Sequence, residues 1–140
     1  MFEIDYDNNV LLKYIEEDGE TEVVIPDYIT SIAPAAFLGC KRLSTITIPD
    51  SVMSIGASAF TRCTSLTSIK IPDSVTCIAN CVFEGCNSLT SVVIPIPDGV
   101  VSIGDNAFAE CTGLKSAVIP DSANDIGQDI FDGCINLTGI

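Results

Sequence analysis

The sequence predicts a mostly β solenoid with short 3₁₀ or helical turns, built from five repeats of about 23 residues behind an N-terminal β-hairpin cap. Three columns of residues predict it. Pro-Asp recurs at Pro26, Pro49, Pro72, Pro97 and Pro120, Phe at Phe37, Phe60, Phe83, Phe108 and Phe131, and Leu at Leu43, Leu66, Leu89, Leu114 and Leu137. Successive differences are 23, 23, 25 and 23 in every column. Self-similarity at such a period marks a solenoid, in which each repeat is too small to bury its own apolar face and buries it against its neighbours. The expected organisation is one continuous domain: a capping hairpin and first strand at 1–25, then repeats at 26–48, 49–71, 72–96, 97–119 and 120–140.

In chain order, FEIDY alternates apolar and polar residues, Asp7-Asn8-Asn9 has turn chemistry, and VLLKYI reads as the returning strand of a hairpin over 2–15. A charged turn at 16–19 leads to a strand over 21–25. Each repeat then carries Leu-x-x-Ile-x-Ile, as in Leu43, Ile46 and Ile48 or Leu66, Ile69 and Ile71. Its period of two is that of a strand with one buried face, and copies stacked at ~4.8 Å make a parallel sheet. Pro-Asp after each strand suits a type I turn with Pro second, its Asp accepting backbone N–H groups; a calcium-binding ladder of these Asp residues is the weaker alternative. Val52 and Ile55, with their equivalents, form a shorter extended segment opposite the first. The following corner holds Gly56, Gly104 and Gly127 but Ala33 and Ala79 elsewhere, so it needs smallness more than positive φ. ASAFTRC (57–63) reads as one turn of 3₁₀ or α helix that drives Phe60 inward. Ile94-Pro95-Ile96-Pro97 is two residues longer than its counterparts and predicts a local bulge or kink.

Composition narrows the functional classes. Hydrophobic residues make up 47% of the 140, without a Trp, so aliphatic side chains and Cys must fill the core. The mean hydropathy of +0.44 is high, yet Pro, Asp, Ser or Gly interrupts every strand-like segment well short of the ~20 apolar residues of a membrane span. The opening MFEIDYDNN lacks the basic start and apolar centre of a secretory signal, which implies an internal protein or a chain cut from a longer one. A net charge of -13 opposes nucleic acid and anionic membrane surfaces as partners. The charge sits at the ends: residues 1–27 carry nine acids and one Lys (-8), 28–97 three acids and four bases (+1), and 98–140 seven acids and one Lys (-6). Solubility of an apolar coil accounts for this; steering of a basic partner to one end is the sharper reading.

Catalysis is not expected. The chain has no His, which removes Ser-His and Cys-His nucleophilic sites, and neither a Walker loop nor a Rossmann glycine pattern appears. No cofactor and no metal centre is expected. Five of the seven Cys (Cys40, Cys63, Cys86, Cys111, Cys134) share one repeat column, where Cys serves as a small buried hydrophobe. Parallel thiols ~4.8 Å apart exceed the ~3.8 Å mean separation of bridged β carbons, so free thiols are expected. Cys77 and Cys81 lie outside the column; tolerated substitution is the simpler account, a redox or metal pair the other. What remains is the solvent side of the main sheet, with candidate partner-binding residues Thr45, Thr47, Ser68, Lys70, Ser91, Val93, Ser116 and Val118, and with Ser44, Thr67, Thr90 and Lys115 at its margin. Lys70 beside Val93 and Val118 departs from the hydroxyl pattern and suggests a contact strip. The chain stops at Ile140 inside its sixth strand, which predicts an open edge at Cys134, Leu137 and Ile140 and either a homodimer through that end or a longer parent protein.

The pattern IPdsVtsIgxxAFxgCxsLtsIxI, spelled by residues 48–71 and 94–119, resembles the BspA-like leucine-rich repeat family, also called the Treponema pallidum type. The resemblance covers 25–140, and FEIDYDNN…ETEVVIPD is similar to that family's usual lead-in. It implies a leucine-rich-repeat α/β solenoid with its continuous parallel sheet on the concave side, and recognition rather than catalysis. Members are commonly surface or secreted proteins of bacteria and some protozoa, several of them adhesins. The implied function is a non-enzymatic binding module for a protein or glycan partner at the cell surface, the alternative being a self-assembly segment.

Overall fold

The computed structural model describes residues 1–93, 102–118 and 125–138. Two sheets face each other across the core. The front sheet holds β3 (Glu22–Val24), β5 (Thr45–Thr47), β7 (Ser68–Lys70), β9 (Ser91–Val93) and β11 (Ser116–Val118), in spatial order β3-β5-β7-β9-β11 and all parallel. The back sheet holds β4 (Ser31–Ile32), β6 (Ser54–Ile55), β8 (Cys77–Ile78), β10 (Ser102–Ile103) and β12 (Asp125–Ile126), likewise parallel. These are the two extended segments expected of each repeat. The hairpin β1 (Phe2–Asp5) and β2 (Val10–Tyr14) joins the back sheet, β2 lying parallel to β4. Its cap is therefore asymmetric, and β3 is left as the first strand of the front sheet.

Period-two burial is seen along the front strands: Ile46, Ile69 and Ala117 point inward between exposed neighbours, and Val92 is buried beside exposed Ser91. Leu43, Leu66, Leu89 and Leu114 are fully buried beside them. The phenylalanines stack as a continuous column, with centroids 5.1 to 5.8 Å apart from Phe37 through Phe131. Tyr14 from the hairpin starts that column, 5.3 Å from Phe37. The cap thus contributes an aromatic ring to the ladder as well as a strand, which its place outside the repeat conceals in the sequence.

The expected helical turn over 57–63 is corrected: among the described residues there is no helix. Ser58, Phe60 and Arg62 donate their backbone N–H groups to Asn80, Val82 and Glu84 on the next coil, at 3.0, 3.0 and 2.8 Å. Between them Ala59, Thr61 and Cys63 donate three residues back, to Gly56, Ser58 and Phe60. A helix would direct every N–H back along its own chain. Here alternate groups are directed to the neighbouring coil. The alternation needs left-handed residues, and two columns supply them: Ala35, Ser58, Cys81, Asn106 and Asp129, then Gly39, Arg62, Gly85, Glu110 and Gly133. Only part of each column has a residue type that advertises this conformation.

Two corner expectations resolve in opposite directions. Gly56 does not have positive φ, and a Cβ there would lie 2.5 Å from the Pro34 nitrogen, so close approach of the preceding coil is the constraint, as expected. The Pro-Asp corner differs from expectation. Ile29, Val52 and Val75 donate to the carbonyls of Pro26, Pro49 and Pro72, each at 3.1 Å, which makes Pro the first turn residue rather than the second. The carboxylates of Asp27, Asp50 and Asp73 are exposed and accept no hydrogen bond among the described residues. Beginning the turn one residue earlier points them to solvent. The expected kink at Ile94–Pro97 lies outside the described residues; on either side β8 and β10, and β9 and β11, keep regular register.

Because Phe83 is fully buried with a ring stacked on either side, Phe83→Ala should cost about 3 to 5 kcal/mol. Urea unfolding checks this, and a loss below ~1 kcal/mol would show that the column is not the main packing element.

Candidate functional site

Register brings the exposed residues of the front sheet into two columns. One runs Glu22, Thr45, Ser68, Ser91, Ser116, and the other Val24, Thr47, Lys70, Val93, Val118. All eight sequence-predicted partner-binding residues fall in these columns. Thr45, Thr47, Ser68, Lys70, Ser91, Ser116 and Val118 are exposed. Val93 pairs through its backbone with Lys70 and Val118, and its side chain lies outside the described part of the structure.

Two further members escaped the sequence reading. Glu22 and Val24 precede the first repeat and look like part of a cap, but β3 pairs with β5 and continues both columns. Val24 is 68% exposed and Val118 is 45% exposed, so aliphatic side chains stand in water on both sides of Lys70. The strand pattern at 22–25, aligned on Pro26 as later strands align on Pro49, would have found them.

The marginal residues have a structural task. Ser44, Thr67 and Thr90 donate their hydroxyls to Thr21, Ser44 and Thr67 on the preceding coil, at 3.1, 3.4 and 3.5 Å. These bonds reinforce the backbone and leave the central columns as the free surface. An open groove of about 440 Å³ crosses this face between β5 and β7, lined by Thr45, Thr47, Asp50, Ser68, Lys70 and Pro72. Open to solvent, with polar groups from both strands, it offers a contact surface rather than an enclosed reaction site.

The cysteines do more than fill space. Cys63, Cys86, Cys111 and Cys134 each direct a thiol at the carbonyl of the Phe one coil back, at 3.2, 3.1, 3.0 and 3.1 Å. A thiol is cheap to desolvate yet keeps a weak donor, which suits an inward position facing a carbonyl. All seven cysteines are free. Burial pushes the Cys86 thiol up to about 12 and Cys40, which also feels Glu16, to about 12; Cys63 and Cys111 are raised further. Cys77 is exposed on β8 and accepts a hydrogen bond from Ser102 at 3.0 Å, while Cys81 is half-buried in the left-handed region. Among the described residues no three His, Cys, Asp or Glu side chains converge to hold a metal ion.

At the C-terminal end, Cys134 and Leu137 are partly covered and pack on the core, and Ile140 lies outside the described residues. Phe131 is also only partly covered, and Ile135 is 80% exposed. No helix is long and apolar enough to cross a membrane among the described residues.

A stack of short coils that presents one regular sheet face to solvent is consistent with a protein-binding module. Comparison with known proteins specifies it: the BspA type leucine rich repeat region matches residues 16–139 in six copies, and the chain belongs to that family. A leucine rich cell surface protein from Faecalibacterium prausnitzii is similar over 99% of this chain at 34% identity, with a TM-score of 0.91. The T. pallidum leucine rich repeat protein (30%, TM-score 0.86) and a leucine-rich repeat protein from Bacteroides ovatus (33%, TM-score 0.84) also match over 99% of the chain. The chain spans 36%, 66% and 38% of those three proteins. No curated protein sequence matches it.

The raised thiols carry a pH dependence. Unfolded thiols ionise near their ordinary value of 9.0, whereas folded Cys86 holds its proton to about 12. Its stabilising contribution is complete below pH 9 and is lost as pH rises toward 12. Melting temperature should fall through that window, with a shallower slope in Cys86→Ala; equal slopes would contradict the assignment.

Proposed function

We infer that this protein is a non-enzymatic recognition module of a bacterial cell surface, which engages a protein or glycan partner through the front sheet. The observation that carries this reading is the column Val24, Thr47, Lys70, Val118. The fold requires only that outward strand positions tolerate water, and Ser or Thr does that at Thr45, Ser68, Ser91 and Ser116. Exposed valines on either side of an exposed lysine are not demanded by the fold. Such a surface offers apolar area for burial together with one cation to orient a partner's acceptor group. The cell-surface relative from F. prausnitzii supports the location, and adhesion is the activity that best suits this type of surface.

Binding to immobilised extracellular-matrix proteins and to a glycan array, followed by Lys70→Glu with Val118→Asp, tests this. The double variant should bind any verified ligand at least about tenfold more weakly, equivalent to ~1.4 kcal/mol. Unchanged affinity in a folded double variant would remove the front sheet as the binding surface.

A second reading is favoured by the C-terminal end, where Phe131, Cys134 and Leu137 lack the full cover of their counterparts and Ile135 is exposed. Self-association through this end would bury these groups. Sedimentation velocity over a range of concentrations should then show a dimer that disappears on removal of residues 134–140. A monomer at every concentration, or a dimer that survives trimming, would dismiss it.

A further inference from the structure

Tyr28 breaks the repeat. The corresponding corner position holds Ser51 and Ser74 in the next two coils. At Ser74 the hydroxyl faces the carbonyls of Asp50, at 2.9 Å, and Val52 on the preceding coil and shares its proton between them. The first coil is preceded there by the turn of the β1–β2 hairpin. Tyr28 lies against Tyr6 from that turn, with ring centroids 6.3 Å apart and planes inclined by 26°. Unlike the buried ladder of Phe rings, this pair stands in water, Tyr6 being 70% exposed and Tyr28 42%.

The presentation of Tyr6 is organised. Asp5 accepts the backbone N–H groups of Asp7 and Asn8 at 3.0 and 3.2 Å and the Asn8 side-chain amide at 2.9 Å, which shapes the turn that carries the ring. Asp7 follows Tyr6 and Asp27 precedes Tyr28. Among the described residues neither acid is paired with a cation. Among the described residues the ion pairs are the amino terminus with Glu17 and Arg42 with Asp18, and Lys13 sits across the hairpin from Glu3. Desolvation raises the Tyr28 hydroxyl pKa, with Tyr6, which also hydrogen-bonds it, and Asp27 adding to it.

We propose that Tyr6 and Tyr28, with Asp7 and Asp27, form a docking site for a cationic side chain, an arginine or lysine in a basic segment of a partner protein. A tyrosine face attracts a cation through its quadrupole, and a guanidinium also stacks on it plane to plane. The carboxylates of Asp7 and Asp27, next to the two tyrosines in sequence, would accept charge-assisted hydrogen bonds from the same group. A neutral sugar could stack on the rings and donate hydroxyls to the carboxylates but would gain nothing from their charge, so the charge favours a cation. The site lies in the hairpin turn and the corner after β3, and it stands whether or not the front sheet binds a ligand.

Titration of the whole chain with a short amidated oligoarginine peptide tests the proposal, with oligoglutamine and a neutral oligosaccharide as alternative probes. Ring-proton NMR shifts provide the readout, because buried Tyr14 is the only other tyrosine and serves as an internal reference. Oligoarginine should move the signals of Tyr6 and Tyr28 and leave Tyr14 in place. Tyr6→Leu should weaken binding about fivefold while Tyr6→Phe retains it, as expected for a contact with the ring face. Asp7→Asn with Asp27→Asn provides a second variant set and should weaken it by a similar factor. Affinity unchanged in Tyr6→Leu would mean diffuse attraction to the net charge and would overturn the proposal. Shifts produced by the oligosaccharide but not by oligoarginine would overturn it in favour of a glycan site.

Discussion

Hydrogen bonding between successive coils is the constraint on which the rest of this structure depends. A 23-residue coil cannot satisfy its own backbone, and an unpaired buried N–H or carbonyl is costly. Three ladders, along the front sheet, the back sheet and the turn edge, send those groups to the neighbouring coil. Side chains join them: Ser44, Thr67 and Thr90 at the margin, Cys63, Cys86, Cys111 and Cys134 inside, and Asn80 and Asp105, which each accept an N–H from the next coil at 2.8 Å. Identical residues recur because each must meet its own copy one step along the stack.

That constraint separates scaffold from surface. Ile, Leu, Phe and Cys columns are dictated by translation along the stack, and a departure at one would leave a void or an unpaired group. Outward positions on the front strands are free of it. There the chain places Val24, Lys70 and Val118 among threonines and serines, and a recognition function has room to reside in that freedom. The first coil is different again, since a hairpin and not a repeat lies beside it. Glu16 accepts backbone N–H groups of Lys41 and Arg42 at 3.1 and 2.8 Å, and Arg42 pairs with Asp18, so the acidic lead-in fastens the cap to the first repeat. Part of the N-terminal negative charge is therefore structural, and Asp7 and Asp27 are not part of that clamp.

Much of the site was legible because strand periodicity states which side chains face out. Seven of the eight predicted front-sheet residues are exposed in the two columns, with Val93 placed there by backbone register alone, while Glu22 and Val24 were missed because the strand expected at 21–25 was assigned to the cap. The helical turn was misread for a physical reason. Ala57, Ser58 and Ala59 are compatible with a helix, and local propensity carries no information about an N–H that will be claimed by Asn80 on another coil. The Asp column was misread similarly, since Pro-Asp fits a type I turn in two registers and only the stacked chain selects between them.

By itself the sequence determined the period, the two strands of each repeat, the buried columns of Leu, Phe and Cys, and the hairpin at the start. Those follow from repetition and from the alternation of apolar with polar residues, both properties of the chain read along its length. Tertiary structure alone decided where the backbone groups of the turn edge are directed, that two columns adopt left-handed φ, that the cysteine thiols face carbonyls, and that Tyr14 starts the aromatic column and Tyr6 meets Tyr28. Each of these joins residues more than 20 positions apart in the chain or depends on such a contact, and no local pattern encodes which neighbour will stand there.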